Sequence, residues 1–198
     1  LNCTVEHSEI VYMDWLVLCG NVCMVCLCRY KISTLTDAER SRGVVAFSSG
    51  NFAQGLALAA RSSNVACTVV MPHDAPESKI QRTKQYGASV VLSEPQADGE
   101  NREVAADRLA RTLAQEHGFT LLHPFNDRDV ATGQGSVAWE MCEQLAAKEA
   151  GTATASLFDK LLVCTGGGGL FSGCAAAVAE YYLDATQDFA PCEVISVE

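Results

Sequence analysis

An α/β fold built on short parallel strands is predicted by three observations. From residue 44 onward, brief apolar runs alternate with helix-length segments. The runs are continuous rather than alternating, as strands buried on both faces are. The stretch 161–172 then reads as an apolar run, four glycines and the start of an alanine-rich helix, which is the order strand, loop, helix.

The elements follow in sequence. Residues 44–47 form a first strand, 51–61 an alanine- and leucine-rich helix, and 66–71 a β-branched strand closed by Pro72. A helix over 78–86 has Gly87 as its left-handed stop and leads into a strand at 89–92. The helix over 101–116 carries Val104, Leu109 and Leu113 on its apolar side and stops at Gly118. A strand at 120–122, a helix over 133–147, a strand at 161–164, the helix after Leu170 and a strand at 193–197 complete the alternation.

The opening block reads differently. Residues 15–28 are almost continuously apolar, include Cys19, Cys23, Cys26 and Cys28, and show no period that separates an inner from an outer face. The run is shorter than the roughly 20 apolar residues of a membrane span, with Asp14 at its edge and Asn21 in its middle. Glu6 and Glu9 stand where a signal peptide needs a basic start. Zinc would need a second cysteine pair at ribbon spacing or a close histidine pair, and neither follows. The chain opens on Leu1, so its natural start is expected upstream.

With 198 residues and 48% hydrophobic content, the chain can bury one sizeable core or two small ones. A net charge of −10 repels nucleic acid and acidic membranes, so a small-molecule partner is expected. Of the ten cysteines, those at 67, 142, 164, 174 and 192 lie singly in apolar stretches, as reduced core cysteines do. A cytoplasmic, reducing compartment is the corresponding expectation.

Two motifs carry chemistry. Gly166, Gly167, Gly168 and Gly169 put bare backbone amides at a helix N-terminus, where the dipole favours negative charge, and so point to a phosphate-bearing ligand. Leu170 and Phe171 follow instead of Lys and Ser/Thr, which excludes the P-loop; the glycine spacing also fails the dinucleotide fingerprint. The second motif is Ser48, Ser49, Gly50, Asn51 and Gln54, at a strand-to-helix turn on the carboxyl edge of the sheet. Hydroxyls, an amide and backbone donors there can receive a carboxylate, although ordinary helix capping uses the same residues.

Taken together, Ser48 to Gly55, the region 70–93 with Met71, Pro72, Ala75, Pro76, Lys79, Tyr86, Gly87, Ala88 and Ser89, then His123, Pro124, Phe125, Gly133, Gln134, Gly135 and the tetraglycine loop resemble the serine racemase and serine/threonine dehydratase family. These are fold-type II pyridoxal phosphate enzymes, and the resemblance runs from about residue 31 to 198. It implies two parallel-sheet α/β domains: a family-like lead-in at 31–42, a small domain at 43–122 and part of a large cofactor-binding domain at 123–198. Residues 1–30 fall outside it, and the chain is expected to be truncated at both ends. By position, Gly166, Gly167, Gly168 and Gly169 match the loop for the cofactor phosphate, and Asn51 the asparagine facing the oxygen on the pyridoxal ring. Ser48, Ser49, Gly50 and Gln54 match the loop around the substrate carboxylate. Glu198 matches the first acidic ligand of a divalent cation site, for Mg2+ or a similar ion.

The chain departs from the family pattern in three places. Counting back through Lys31, Ser33, Leu35, Thr36, Glu39, Arg42 and Gly43, which match, the family's Schiff-base lysine falls at Met24. A thioether can neither condense with an aldehyde nor carry a proton as an amine does. Lys31 occupies the family's second, non-catalytic lysine position. The chain also stops before the stretch that faces the pyridine nitrogen, and Phe52 stands where relatives usually have histidine.

The resemblance implies deprotonation at Cα of serine or threonine, giving racemisation or dehydration. Ser49 matches the serine that serves racemases as an acid on the face opposite the lysine; His123, Pro124 and Phe125 are closer to dehydratases. Both activities are therefore expected of the family function, with L-threonine dehydratase as an alternative and a homodimer as the assembly. With Met24 in place, the chain is expected to be inactive. A non-catalytic, pyridoxal phosphate-binding pseudoenzyme is the competing reading.

Overall fold

The structure is a computed structural model in which residues 10–11, 19–95, 99–149, 157–184 and 192–197 are described. Strand β1 (Ile10–Val11) precedes helix α1 (Cys19–Thr34) and the short helix α2 (Asp37–Arg42). The first sheet is built by β2 (Val44–Phe47), α3 (Asn51–Ser62), β3 (Cys67–Pro72), α4 (Glu77–Gln85), β4 (Ser89–Ser93), α5 (Arg102–His117) and β5 (Thr120–Leu121). Helices α6 (Arg128–Gln134) and α7 (Ser136–Glu149), strand β6 (Lys160–Cys164), helix α8 (Gly169–Asp184) and strand β7 (Glu193–Val197) follow.

Two sheets result, both wholly parallel among the described residues. One has the order β4-β3-β2-β5, the other β1-β6-β7. Alternation along β2 and β3 divides the first core in two. Val44, Ala46, Val69 and Met71 face α1, α3 and α4, whereas Val45, Phe47 and Val70 face α5. A second core joins α7, α8 and β6 through Val137, Met141, Leu161, Val163 and Cys174.

The strands from β2 onward lie where the apolar runs put them, β1 has no counterpart among those runs, and three helical details differ. Val104 is 57% exposed, whereas Leu109 and Leu113 pack against the sheet as expected, together with Ala106 and Ala110, whose small side chains let helix and sheet approach closely. The expected helix over 133–147 is two helices: Asp127 caps α6 by accepting from the Asp129 and Val130 amides at 2.9 and 3.3 Å, and Gly135 separates α6 from α7. In the opening block, α1 is a helix despite its lack of period. It packs mainly between α3 and α6, with Leu27, Cys28 and Ile32 fully buried, while Cys26, Arg29, Tyr30 and Ser33 lie exposed along one stripe.

Close approach fixes α1. A Cβ on Gly55 would lie 2.7 Å from the Met24 Cβ, and one on Gly133 would lie 2.7 Å from the Leu27 Cα. Lys31 ties the same helix to the start of α6 by ion pairs of 2.9 Å to Asp127 and 2.8 Å to Asp129.

Candidate functional site

The loop between β6 and α8 is shaped by contact and by conformation. Cβ atoms on Gly166 and Gly168 would meet nothing within 4 Å, whereas one on Gly167 would fall onto the Phe125 ring. Gly168 has a φ of +82°, which side chains rarely adopt. Thr165 donates from its amide to the Val197 carbonyl at 2.8 Å, so β7 holds the root of the loop. The first turn of α8 follows at once, and its amides have no acceptors within the helix.

A cavity of about 440 Å³ opens on this loop. Its walls are Met24, Pro124, Phe125, Gln134, Cys164, Thr165, Leu170 and Val197, together with Gly166, Gly167, Gly168 and Gly169. No charged side chain lines it, so an anion there depends on backbone amides and the helix dipole. Met24, found by counting along the sequence, thus stands in the same cavity as the tetraglycine loop, in contact with Gln134, which lies 110 residues downstream of it. The Gln134 Nε2 lies 3.9 Å from the Met24 Sδ, and its Oε1 is buried without a hydrogen-bond partner.

The serine loop lies across an aromatic bridge. Phe47, the residue before Ser48, meets His123 edge to face at 5.1 Å; His123 meets Phe125 at 4.6 Å, and Phe125 rests on Gly167. His123 Nδ1 accepts from the Asn126 amide at 2.9 Å, and burial holds its pKa below the ordinary value, so the neutral ring keeps the turn that seats Phe125. Ser48 Oγ accepts from the Gly50 amide at 3.2 Å, and Ser49 Oγ donates to Glu103 Oε1 at 3.3 Å. Asn51 is the first residue of α3 after the cap Gly50, and Gln54 is 5% exposed with an unpartnered Oε1. None of Ser48, Ser49, Gly50, Asn51 or Gln54 is among the residues lining the cavity. Glu198, the expected cation ligand, lies outside the described residues. Phe52 is 6% exposed and belongs to the core.

Comparison with known proteins is decisive for the family. A profile described as "Pyridoxal-phosphate dependent enzyme" matches residues 26–198. The chain belongs to this family. It is 44% identical over 146 residues to an L-threo-3-hydroxyaspartate ammonia-lyase of Saccharomyces cerevisiae, covering 74% of this chain and 40% of that protein. It is 38% identical over 168 residues to a serine racemase of Schizosaccharomyces pombe, covering 84% of this chain and 45% of that one. The structure of maize serine racemase superposes with a TM-score of 0.73 at 29% identity, over 96% of this chain and 50% of that one. The chain therefore spans 40–45% of the length of these curated relatives.

Whether the residues suit pyridoxal phosphate divides into two parts. The phosphate end fits, because the glycine loop offers open space, amide donors and a helix N-terminus above an apolar cavity. The aldehyde end lacks its partner, since no lining residue carries an amine. Lys31 is engaged elsewhere: burial alone would lower its pKa, but the hydrogen bonds and charges of Asp129 and Asp127 outweigh that and raise it.

Glu103, Gln134 and Phe125 have roles here that local patterns did not reveal. Gln134 and Phe125 were visible as parts of the family resemblance, but their place in the cavity wall depends on packing. The Ser49–Glu103 contact joins residues 54 positions apart.

Proposed function

We propose that the tetraglycine loop holds the phosphate of pyridoxal phosphate, and that the chain as written binds this cofactor reversibly, without a covalent link. Met24 in the wall of the glycine-loop cavity is the observation that supports this reading. Bound cofactor supplies, in enzymes of this kind, an electron sink for a carbanion at Cα of an amino acid. In this chain, Gly166, Gly167, Gly168 and Gly169 receive the phosphate, Phe125 and Leu170 exclude water beside it, and Asn51 is assigned to the ring oxygen. Ser48, Ser49, Gly50 and Gln54 are assigned to the substrate carboxylate.

For the family function we propose action on small hydroxy amino acids, serine or threonine, with both racemisation and loss of ammonia. Ser49 is assigned the proton opposite the lysine face, and its hydroxyl is already held by Glu103 at 3.3 Å. A divalent cation near Glu198, a homodimer and a cytoplasmic setting belong to the same proposal. Cys26, Cys28, Cys67, Cys142, Cys164 and Cys192 form no disulfide, which accords with a reducing compartment. Among the described residues no helix is long and apolar enough to cross a membrane.

Titrating the purified chain with pyridoxal phosphate, then reducing with borohydride and mapping by mass spectrometry, tests the reading. Reversible binding that inorganic phosphate displaces, with no stoichiometric pyridoxyl-lysine, is expected. A single lysine labelled in full and protected by phosphate would overturn it.

A further inference from the structure

We propose that protonation of His123 unseats Phe125 from the tetraglycine loop, so that the loop holds an anion less tightly in acid than at neutral pH. The effect on anions rests on the reading of that loop as a phosphate site; the effect on the loop's shape stands on the 123–126 turn alone.

The turn is built around one acceptor. His123 Nδ1 accepts from the Asn126 amide at 2.9 Å and from the Phe125 amide at 3.4 Å, so the ring is neutral and carries its proton on Nε2. A proton added to Nδ1 sets a third N–H against those two, and the acceptor that closes the turn is gone. Phe125 depends on that closure. Its ring stands edge to face on His123 at 4.6 Å and covers Gly167 so closely that an added Cβ there would fall onto it. Its Cα and Cβ lie 3.3 Å from where a Cβ on Gly169 would stand. Two of the four loop glycines thus take their support from one residue whose backbone His123 holds.

Around the ring, α5 brings Asp107 and Arg111, which pair with each other at 2.8 Å; the cap of α6 brings Asp127, which pairs with Lys31 at 2.9 Å; and β2 brings the uncharged Phe47. Burial outweighs these charges and holds the His123 pKa below its ordinary 6.5. The closed turn is accordingly favoured in full above the ordinary value and lost as pH falls through the lowered one.

The sign separates this route from a simple charge effect. An imidazolium beside the loop would attract an anion, and the bound anion would raise the pKa of His123. Unseating Phe125 does the reverse: affinity falls in acid, and by reciprocity a bound anion lowers the pKa of His123.

NMR of the intact chain from about pH 8 to about pH 5.5 tests both effects, with sulfate as the probe because, unlike phosphate, it keeps its charge over this range. Without ligand, the Gly167 and Gly169 amide signals are expected to shift with the same midpoint as the His123 ring. Sulfate affinity should fall about threefold to tenfold through that midpoint, the scale of one net hydrogen bond, and saturating sulfate should lower the midpoint by about 0.5–1 unit. His123→Asn, whose Oδ1 can replace Nδ1 as acceptor but does not titrate, should hold the loop signals and the sulfate affinity constant across the range. If that variant does not fold, the direction in which sulfate moves the midpoint of the unaltered chain decides. Glycine signals that stay in place while His123 titrates, or a midpoint that sulfate raises or leaves unchanged, would overturn this inference and leave the phosphate reading standing. Absence of sulfate binding at every pH would overturn the phosphate reading, and the ligand-free titration then decides the behaviour of the turn by itself.

Discussion

Replacing Met24 by lysine should convert reversible cofactor binding into covalent capture. The backbone at residue 24 is held by the close approach of α1 to Gly55, where an added Cβ would be 2.7 Å from that of Met24, so the new side chain starts from a fixed point. Lysine is unbranched like methionine and extends one heavy atom further, into a cavity walled by Pro124, Phe125, Leu170 and Val197. No carboxylate lines that cavity, so burial should depress the new amine's pKa by about 1–2 units, which costs the empty protein roughly 1.4–2.7 kcal/mol at neutral pH. At about 2–4 °C per kcal/mol for a chain of this size, the melting temperature should fall by roughly 3–10 °C. A lowered pKa also leaves more neutral amine to react with an aldehyde. Pyridoxal phosphate should then restore stability to the variant more than to the unaltered chain. The assay is thermal unfolding with and without cofactor, followed by borohydride reduction and peptide mapping. A pyridoxyl group at residue 24 is expected; reduction that labels the same surface lysines in both proteins, with residue 24 free, would refute the placement of Met24.

Gly168→Ala should weaken phosphate binding about tenfold, because a side chain at φ +82° is strained by about 1–2 kcal/mol and the loop must shift; competition with inorganic phosphate measures it. Lys31→Met should destabilise the fold by about 2–3 kcal/mol, since it strands Asp127 at a part-buried site. Asp129 has its pKa lowered from 3.8 by the Lys31 hydrogen bond, and that of Lys31 is raised from 10.5. The pair's contribution is accordingly present at neutral pH, lost as pH falls through the lowered Asp129 value, and lost at the other end only as pH rises through the raised Lys31 value. Denaturant unfolding of both proteins across pH should show a constant gap at neutral pH that closes in acid. Gly133→Ala should push α1 from α6, where its Cβ would meet the Leu27 Cα at 2.7 Å, costing about 1–3 kcal/mol and raising hydrogen exchange in α1.

The parallel sheets were legible because their strands are short and apolar on both faces; β7 coincides with the run at 193–197 residue for residue. On α5 the expected Leu109 and Leu113 do pack against the sheet beside Ala106 and Ala110, and Val104 alone was misassigned, because it lies off that face near the exposed start of the helix. Helix α1 carried no clear period because apolar residue types, Cys26 and Tyr30, stand on its exposed stripe as well as on its buried face. At the candidate site, the glycine run marked the loop before α8, and counting from the matched residues marked position 24, which lines the same cavity. The partners of those residues were not legible: Lys31 meets Asp129 across 98 positions, and Gln134 meets Met24 across 110. Long-range polar contacts of this kind depend on how the elements pack, and local sequence does not encode the pairing.

The most direct measurement is amide NMR of the chain titrated with pyridoxal phosphate. The amide signals of Gly166, Gly167, Gly168 and Gly169 should move together with one saturable affinity, reverse on adding inorganic phosphate, and leave every lysine side chain unmodified after removal of the ligand. Saturable binding that leaves those four signals in place would contradict the assignment of the tetraglycine loop as the phosphate site.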